Sequence, residues 1–353
     1  MSMVEGLTAD HGWEVTVVTS TPGDQVKIEA TRGGARVYRL PYKMMVSNSP
    51  ISLNWYRELK RLIDTVDPDV VNINIPVPGL GDLASRAARR RPTVVYYHFG
   101  SMKKGHPVLD PVIGVYESLF LPMTLRRAQR IACGTTYVRD GILSRFSDKT
   151  SIVPPGVDTV RFHPASRRVI EPRILYVGSL NRSDGHKRFP DLLEACAILR
   201  AELPELKLSA VGGGDGQDDY KEVATRLGIA DMVQFHGRLE GQALAEAYRN
   251  AAVFALPSLR ETFGMVITEA MASALPVVAV NGGGVATVVD DNKDGILVPP
   301  RDPSAMANAL RSVLTNPGWA DDLGRFGREK VLSTMTWKHQ IASMNEIFTA
   351  AAL

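Results

Sequence analysis

The chain has 353 residues, 44% apolar and 22% charged, enough for two cores and too apolar for intrinsic disorder. A net charge of +3 argues against a dedicated nucleic-acid binder, and two cysteines, Cys133 and Cys196, exclude a disulfide framework. No run of about 18 apolar residues is available to span a bilayer, no Cys/His group has zinc spacing, and Met1–Asp10 does not read as a signal peptide, so a cytoplasmic two-domain protein is expected.

Short β-branched runs alternate with longer amphipathic stretches along the chain. In the first half Glu14–Thr19, Arg36–Leu40, Val70–Ile75 and Thr93–Tyr97 read as strands. Ile51–Val66, Leu80–Arg90, Pro107–Arg127 and Tyr137–Arg145 read as the helices around them. Val153–Pro164 (VPPGVDTVRFHP) has neither period and is rich in Pro and Gly, so a domain boundary is placed just after it, at residue 165. Beyond it strands are expected at Ile174–Val177, Lys207–Val211, Met232–His236, Val253–Leu256, Val277–Val280 and Ile296–Val298. Phe189–Ala201 and Gln242–Asn250 are among the helices that fill the gaps. Parallel neighbours need a crossover, so the pattern implies an α/β protein with parallel sheets covered by helices, built twice.

Charge is unevenly shared. Residues 1–165 carry 21 Lys+Arg against 15 Asp+Glu, a net of +6, and the remainder carries 20 against 23, a net of −3. Clusters at Arg89–Arg91, Lys103–Lys104 and Arg126–Arg130 make the first domain the basic one. Solvated helix ends explain such clusters, and so does an anionic partner such as a membrane surface or a lipid-phosphate acceptor.

The most informative stretch is Leu256–Val280, LPSLRETFGMVITEAMASALPVVAV. It reads as strand, loop, helix and strand, with the helix opening near Phe263–Gly264. The free amides of Gly264, Met265 and Val266, with the helix dipole, then form an anion site suited to a diphosphate. Glu261 precedes that helix and Glu269 lies about one and a half turns into it, so hydroxyls on either side of a diphosphate have a carboxylate to meet. A nucleotide-sugar has that layout. By itself an E-x7-E also fits a capped helix with two solvated glutamates.

Three further elements lie at strand exits, where doubly wound folds bind ligands. Val177–Lys187 (VGSLNRSDGHK) offers Gly178, Ser179, Arg182 as a fork and Lys187 as a point charge for phosphate. Val211–Gly216 (VGGGDG), with Gly213, lets backbone approach a nucleotide or simply turns, and Asn281–Gly284 (NGGG) is similar. In the first domain His98 ends a strand and is expected to point toward the cleft between domains. Asp67-Pro68-Asp69 superficially matches a metal-binding DxD but sits at the amino end of a strand, so it reads as structural and no metal site is expected.

Taken in order, GVDTVRF (Gly156–Phe162), the GSLNRSDGHK loop, VGGGDG, FHGRL (Phe235–Leu239), the Glu261–Glu269 stretch and DGILVPPRDP (Asp294–Pro303) resemble glycosyltransferase family 4, retaining enzymes of GT-B fold. The resemblance covers nearly the whole chain and is most specific in Ile174–Pro303. It implies two facing Rossmann-like domains: an acceptor domain at 1–165 and a donor domain at 166–330, with 331–353 as a helix crossing back onto the first. Carried over by position, Glu261 contacts the donor sugar, Glu269 the ribose, and Lys187 with a nearby arginine the diphosphate, without an obligatory metal or other cofactor. His98 matches the family histidine near the sugar, and Arg238 lies in the base-binding loop. The implied donor is UDP- or GDP-linked. The implied acceptor is a hydroxyl on a glycan, lipid-linked sugar or small molecule, with an acceptor pocket around Ser101–Asp110. Apart from the resemblance, the basic first domain fits a cytoplasmic enzyme peripheral to the inner face of the membrane.

Three positions depart from the family pattern. Ser179 replaces the arginine that normally follows the glycine, which puts the phosphate arginine in doubt and leaves Arg182 as its substitute. Thr287 stands where a glutamate is usual. The family also begins with a strand and a Gly-rich loop, whereas this sequence opens in what reads as the end of the first helix, so about 25 residues of strand, loop and half helix are expected to be missing. Two alternative functions follow: a truncated, catalytically impaired sugar-nucleotide binder, and a GT-B-type sugar-nucleotide epimerase. A phosphorylase would need a lysine-linked cofactor, for which no motif is present.

Overall fold

The computed structural model describes residues 3–30, 33–46, 49–76, 78–98, 100, 102–103, 109–166 and 171–353. The chain packs as two compact units, unit 1 comprising Met1–Pro154 with Trp337–Leu353 and unit 2 comprising Pro155–Thr336. The division falls ahead of the boundary expected at residue 165. From Pro155 onward the Pro-rich run already belongs to unit 2: the Val157 amide donates to the Met335 carbonyl (2.9 Å), and Val157 and Phe162 are part of the unit 2 core. The chain returns to unit 1 at Trp337, rather than at residue 331.

Unit 1 starts with α1 (Met3–His11), β1 (Thr16–Pro22), β2 (Lys27–Ala30) and β3 (Arg36–Tyr42). The hairpin β4 (Met44–Val46) and β5 (Ser49–Ile51) leads into α2 (Trp55–Val66), β6 (Val71–Ile75), α3 (Leu80–Ala87) and β7 (Thr93–Tyr97). Next come α4 (Leu109–Val115), a π-helical turn at Tyr116–Phe120, α5 (Leu121–Arg127), β8 (Arg130–Cys133) and β9 (Thr150–Ile152). Among the described residues β1 pairs with β3 in parallel, β2 lies antiparallel on the other edge of β3, and β6 to β9 form a parallel sheet in chain order. The strands β2, β4, β5, β8 and β9 go beyond those expected from sequence. They are short, and β8 follows α5 with no turn residues to announce it. The expected helix at Tyr137–Arg145 is instead a π-helical turn, Tyr137–Ile142, followed by a 3₁₀ turn, Ser144–Lys149. Gly141 within it disfavours a regular α-helix. Of the helix expected at 107–127, residues 107 and 108 lie outside the described residues.

Unit 2 contains β10 (Arg173–Val177), α6 (Phe189–Leu199), β11 (Lys207–Val211), α7 (Gln217–Arg226), β12 (Val233–Gly237) and α8 (Gly241–Arg249). It continues through β13 (Val253–Leu256), α9 (Met265–Ala272), β14 (Val277–Val280), α10 (Val285–Val288), β15 (Ile296–Val298), α11 (Pro303–Thr315) and α12 (Pro317–Thr334). All six strands are parallel, in the order β12-β11-β10-β13-β14-β15. Helices cover both faces, so β13 (VFAL) and β14 (VVAV) are continuous apolar runs buried at every residue. Burying each Val, Leu or Phe side chain of these runs contributes roughly 1.5–3 kcal/mol. Asp302 caps α11 by accepting from the Ala305 amide (2.8 Å), with Pro303 preset at the first helical position.

The last helix, α13 (Trp337–Ala352), belongs to unit 1. Its Ile341, Met344, Ile347, Phe348 and Ala351 share one core with Leu7, Val94, Tyr96, Ala132 and Val153. Trp13 donates from Nε1 to Asn345 (2.8 Å) and meets Phe348 edge-on at 6.0 Å.

Candidate active site

The unit 2 sheet begins at its centre with β10, builds outward to β12, then returns to the other side of β10 with β13. The two loops leaving the carboxyl ends of β10 and β13 therefore diverge, and the crevice between them is where doubly wound sheets hold ligands. The first loop runs through the 3₁₀ turn Arg182–Lys187, and the second carries Glu261 to the start of α9. Lys187 and Glu261 meet across the crevice, Nζ to Oε1 at 2.6 Å, with side chains only 19% and 15% exposed. An ammonium has three donors, so Lys187 keeps two for another acceptor.

Backbone packing holds both loops in place. The Leu180 amide donates to Gly213 (3.0 Å) and the Gly216 amide to Leu180 (2.9 Å), which zips the first loop onto the VGGGDG turn. A Cβ on Gly212, whose φ is +142°, would lie 1.8 Å from the Gly178 carbonyl oxygen, and one on Gly214 would lie 2.2 Å from Leu180 backbone. Gly213 faces open space. Beneath the second loop, a Cβ on Gly284 would lie 2.0 Å from the Thr262 carbonyl oxygen, and the Gly284 amide donates to Glu261 (2.7 Å). The glycines of NGGG thus serve the chain that carries Glu261.

Gly264 caps α9 in a left-handed conformation (φ 85°, ψ 61°) that few residues other than glycine adopt readily. The amides of Gly264, Met265 and Val266 have no protein acceptor among the described residues, since the first helical bond runs from Ile267 to the Gly264 carbonyl (2.8 Å). Phe263 is buried beside them, while Met265 is at the surface. At the other end of α9, Arg328 donates to the Ala272 carbonyl, placing a cation at the negative end of the helix.

Glu269 accepts a hydrogen bond from the Tyr248 hydroxyl (2.8 Å). Burial pushes its carboxyl up to about 7, against the opposing pull of the Tyr248 bond and the Arg161 charge. Glu269 is therefore poised between acid and carboxylate at neutral pH. Tyr248 and Arg161 were not singled out by sequence reasoning. Arg161 sits in the GVDTVRF stretch, and only the fold brings it from the start of unit 2 toward α9.

The arginines divide differently from the sequence expectation. Arg182 grips Asp219 with Nε and Nη2 at 2.6 and 2.7 Å, and Arg188 grips Asp191 at 3.0 and 2.6 Å. Ser179 donates to Asp184 (2.6 Å) and accepts from Asn181 (2.7 Å), which stabilises the 3₁₀ turn. Arg238 pairs with Glu240 on the surface (2.7 Å). By contrast, Arg260 and Arg301 have no ion-pair partner among the described residues, and with Gly185, His186 and Leu259 they line a cavity of ≈ 420 Å³ next to the Lys187–Glu261 pair. Among the described residues no group of three or more His, Cys, Asp or Glu is placed to hold a metal.

In unit 1, His98 follows β7 with Nε2 2.7 Å from Asn74 Oδ1, and its ring lies 4.5 Å from that of Tyr96. Desolvation holds its pKa below the ordinary histidine value, which favours the neutral ring. Residues 101 and 104–108, most of the region expected to hold the acceptor, lie outside the described residues.

The sequence profile of Glycosyltransferase Family 4 matches residues 1–161, and that of Glycosyl transferases group 1 matches residues 163–330. The chain is 30% identical to the GDP-mannose-dependent alpha-(1-6)-phosphatidylinositol monomannoside mannosyltransferase of Mycolicibacterium smegmatis, over 91% of this chain and 86% of the relative. This chain belongs to glycosyltransferase family 4. Its fold is GT-B. Sucrose-phosphate synthase from Thermosynechococcus elongatus superposes with a TM-score of 0.74 at 22% identity, covering 98% of this chain and 91% of that one. Anabaena HepE in complex with UDP and glucose superposes with a TM-score of 0.70 at 17% identity, covering 89% and 86%. As a family 4 glycosyltransferase the protein is a transferase of the EC 2.4 class.

Proposed function

We propose that this glycosyltransferase moves a sugar from a nucleoside-diphosphate-sugar, UDP- or GDP-linked, to a hydroxyl acceptor with retention of configuration and without an obligatory metal. The observation that carries the reading is the Lys187–Glu261 pair at 2.6 Å, set beside the Gly264-capped start of α9 with Glu269 further along that helix. Positive charge from Lys187 and from the amides of Gly264, Met265 and Val266 suits a diphosphate leaving group and does the work that a cation does elsewhere. Glu261 is assigned to the sugar hydroxyls and Glu269 to the ribose diol. Arg260 is a better candidate than Arg182 for the arginine beside the diphosphate, because the Arg182 guanidinium is engaged by Asp219. GDP-mannose, named for one similar protein, and UDP, bound with glucose in another, both carry a nucleoside diphosphate and leave the base open.

No side chain is assigned as a nucleophile in this reading, so the acceptor attacks the anomeric carbon on the face that the leaving group departs. The new bond forms from the acceptor oxygen to that carbon, the bond from carbon to phosphate oxygen breaks, and the acceptor proton passes to the departing phosphate. His98 of unit 1, held neutral by desolvation, is assigned a hydrogen bond to the sugar rather than the part of a cationic acid. The same reading places the enzyme in the cytoplasm, peripheral to the inner face of a membrane through its basic unit.

The test is thermal denaturation of the chain titrated with UDP, GDP and ADP, in parallel with magnesium present and with EDTA. Saturation at about 100 times the dissociation constant stabilises a native state by about 2.7 kcal/mol. A shift with one nucleotide supports both the donor class and its metal independence. No shift with any nucleotide overturns the reading, a shift abolished by EDTA overturns its metal independence, and donor turnover without acceptor points to an epimerase.

A further inference from the structure

The loop that leaves β15 carries a cation at a position that suits glycine. Pro299 and Pro300 stiffen the exit of the strand, and Asp302 is committed to capping α11, so Arg301 makes the turn between them. It does so at φ +57°, in the left-handed region that glycine enters freely and other residues enter at a cost. Backbone held in such a region persists where its surroundings impose it, and it concentrates at ligand sites. Arg301 has no ion-pair partner among the described residues, and with Gly185, His186, Leu259 and Arg260 it lines the cavity of ≈ 420 Å³.

That cavity is positive. None of the described residues lining it is an acid. The acids that neighbour the lining residues in sequence are engaged: Glu261 by Lys187 (2.6 Å), Asp184 by Ser179 (2.6 Å) and Asn181 (3.1 Å), and Asp302 by the Ala305 amide (2.8 Å). His186 feels the excess. Burial first, then the Lys187 and Arg260 charges, hold its pKa below the ordinary histidine value, against the pull of Glu261 and Asp184. The walls are fixed as well, because the Leu259 amide donates to the His186 carbonyl (2.8 Å) and the Gly284 amide to the Glu261 carbonyl (2.7 Å), which pins the backbone on both sides of Arg260. Arg260 and Arg301 are exposed, so a solute can reach them, and the volume falls within the range of about 300–1,000 Å³ usual for small-molecule sites.

We propose that Arg301 holds a carboxylate on the transferred sugar, so that the donor is a nucleoside-diphosphate-uronic acid rather than a neutral hexose donor. The proposal rests on the donor reading above and narrows it. In that reading Lys187, Arg260 and the amides at the start of α9 meet the diphosphate, and Glu261 meets the sugar hydroxyls. Arg301 is then a cation that no part of a neutral donor uses. Its cavity adjoins Glu261 through Arg260, so the group it takes belongs to the sugar rather than to the base. A guanidinium offers parallel N–H donors in the geometry of a planar carboxylate. One unpaired fork also matches one negative charge, whereas a phosphate ester brings about −1.5 to −2.

The test is calorimetric titration of the full chain with UDP-glucose against UDP-glucuronate and with GDP-mannose against GDP-mannuronate, with bare UDP and GDP as controls. On whichever base binds, the uronate is expected to bind about tenfold or more tighter than its neutral partner. Arg301→Gly should bring the two within about twofold of each other while the affinity for the bare diphosphate, which does not reach Arg301, stays within about twofold of the unmodified protein. Glycine fits φ +57°, so this variant should melt no lower than the unmodified protein, and Arg301→Lys, which keeps the charge but not the fork, should retain only part of the preference. Equal affinity for the uronate and the neutral donor, or a preference that Arg301→Gly leaves intact, overturns the proposal while the donor reading stands. So does tighter binding of a donor whose sugar carries a 6-phosphate, because the cavity would then serve a phosphate. If neither bare diphosphate binds, the donor reading itself fails and this inference falls with it.

Discussion

Tyr248→Phe is the substitution that most directly probes the poised carboxylate. Burial raises Glu269 to about 7, and the Tyr248 hydroxyl at 2.8 Å opposes that rise by donating to the charged form. A hydrogen bond to a charged group is worth roughly 1.5–3 kcal/mol, and at about 1.4 kcal/mol per pKa unit its loss moves the midpoint up by roughly 1–2 units. At neutral pH the ionised fraction then falls from about one half to between about one tenth and one hundredth. Since a carboxylate, not its acid, accepts from both hydroxyls of a ribose diol, nucleoside-diphosphate affinity should fall about 5- to 50-fold at neutral pH and recover above about pH 9. In the unmodified protein, affinity should weaken about tenfold per unit once the pH drops below about 7. Isothermal titration calorimetry with UDP and GDP across this range measures both effects. An affinity that is flat with pH in the unmodified protein, or a pH profile that Tyr248→Phe does not displace, refutes the reasoning. Stability has the opposite pH dependence. A carboxyl whose folded pKa lies above its unfolded value favours folding while protonated, so this group should lower the unfolding free energy by roughly 3 kcal/mol as pH rises from about 4.5 to about 7.

Lys187→Ala should weaken nucleoside-diphosphate binding by about 1.5–3 kcal/mol in calorimetry, whereas Glu261→Gln should cut turnover far more than it weakens that binding. If both variants behave as the unmodified protein does, the site lies elsewhere. Gly284→Ala drives a Cβ to 2.0 Å from the Thr262 carbonyl oxygen and should displace the Glu261 loop, costing about 1–3 kcal/mol of stability and most of the turnover. Gly213→Ala, which meets nothing within 4 Å, should be tolerated in the same melting and activity assays. Arg182→Ala should leave nucleoside-diphosphate affinity within about twofold, because the guanidinium is held by Asp219; a loss of tenfold or more would return Arg182 to the phosphate.

Unit 2 was legible almost residue by residue because its strands are apolar runs bounded by Gly, Pro or Asp. β13 and β14 have the bounds expected, and α9 starts at Met265, one residue after the glycine read as its opening. Unit 1 was harder. β2 (KIEA) and β8 (RIAC) are four residues long and begin with a cation, so no period can form over them. At the site, the glutamates and Lys187 were legible because each stands in a short local motif. The engagement of Arg182 was not, since its partner Asp219 is 37 residues away in the first turn of α7 and only the fold joins them. Tyr248 was hidden for the same reason: it reads as an ordinary core position of α8, and its hydroxyl acquires meaning only when α9 is laid beside it.

The placement of α13 has a consequence for synthesis. Five of the ten buried residues in the core shared by Leu7, Tyr96 and Val153 come from α13, and 182 residues, Pro155 to Thr336, separate it from the rest of unit 1. A ribosome adding about 5–20 residues per second needs roughly 10–40 s to cross that distance. During that interval β7, β8 and α1 stand with one apolar flank uncovered, while unit 2, a single uninterrupted run, can complete its fold as it emerges. The half made first is therefore the half finished last, and the nascent chain should depend on chaperones most strongly in the interval before Trp337 appears.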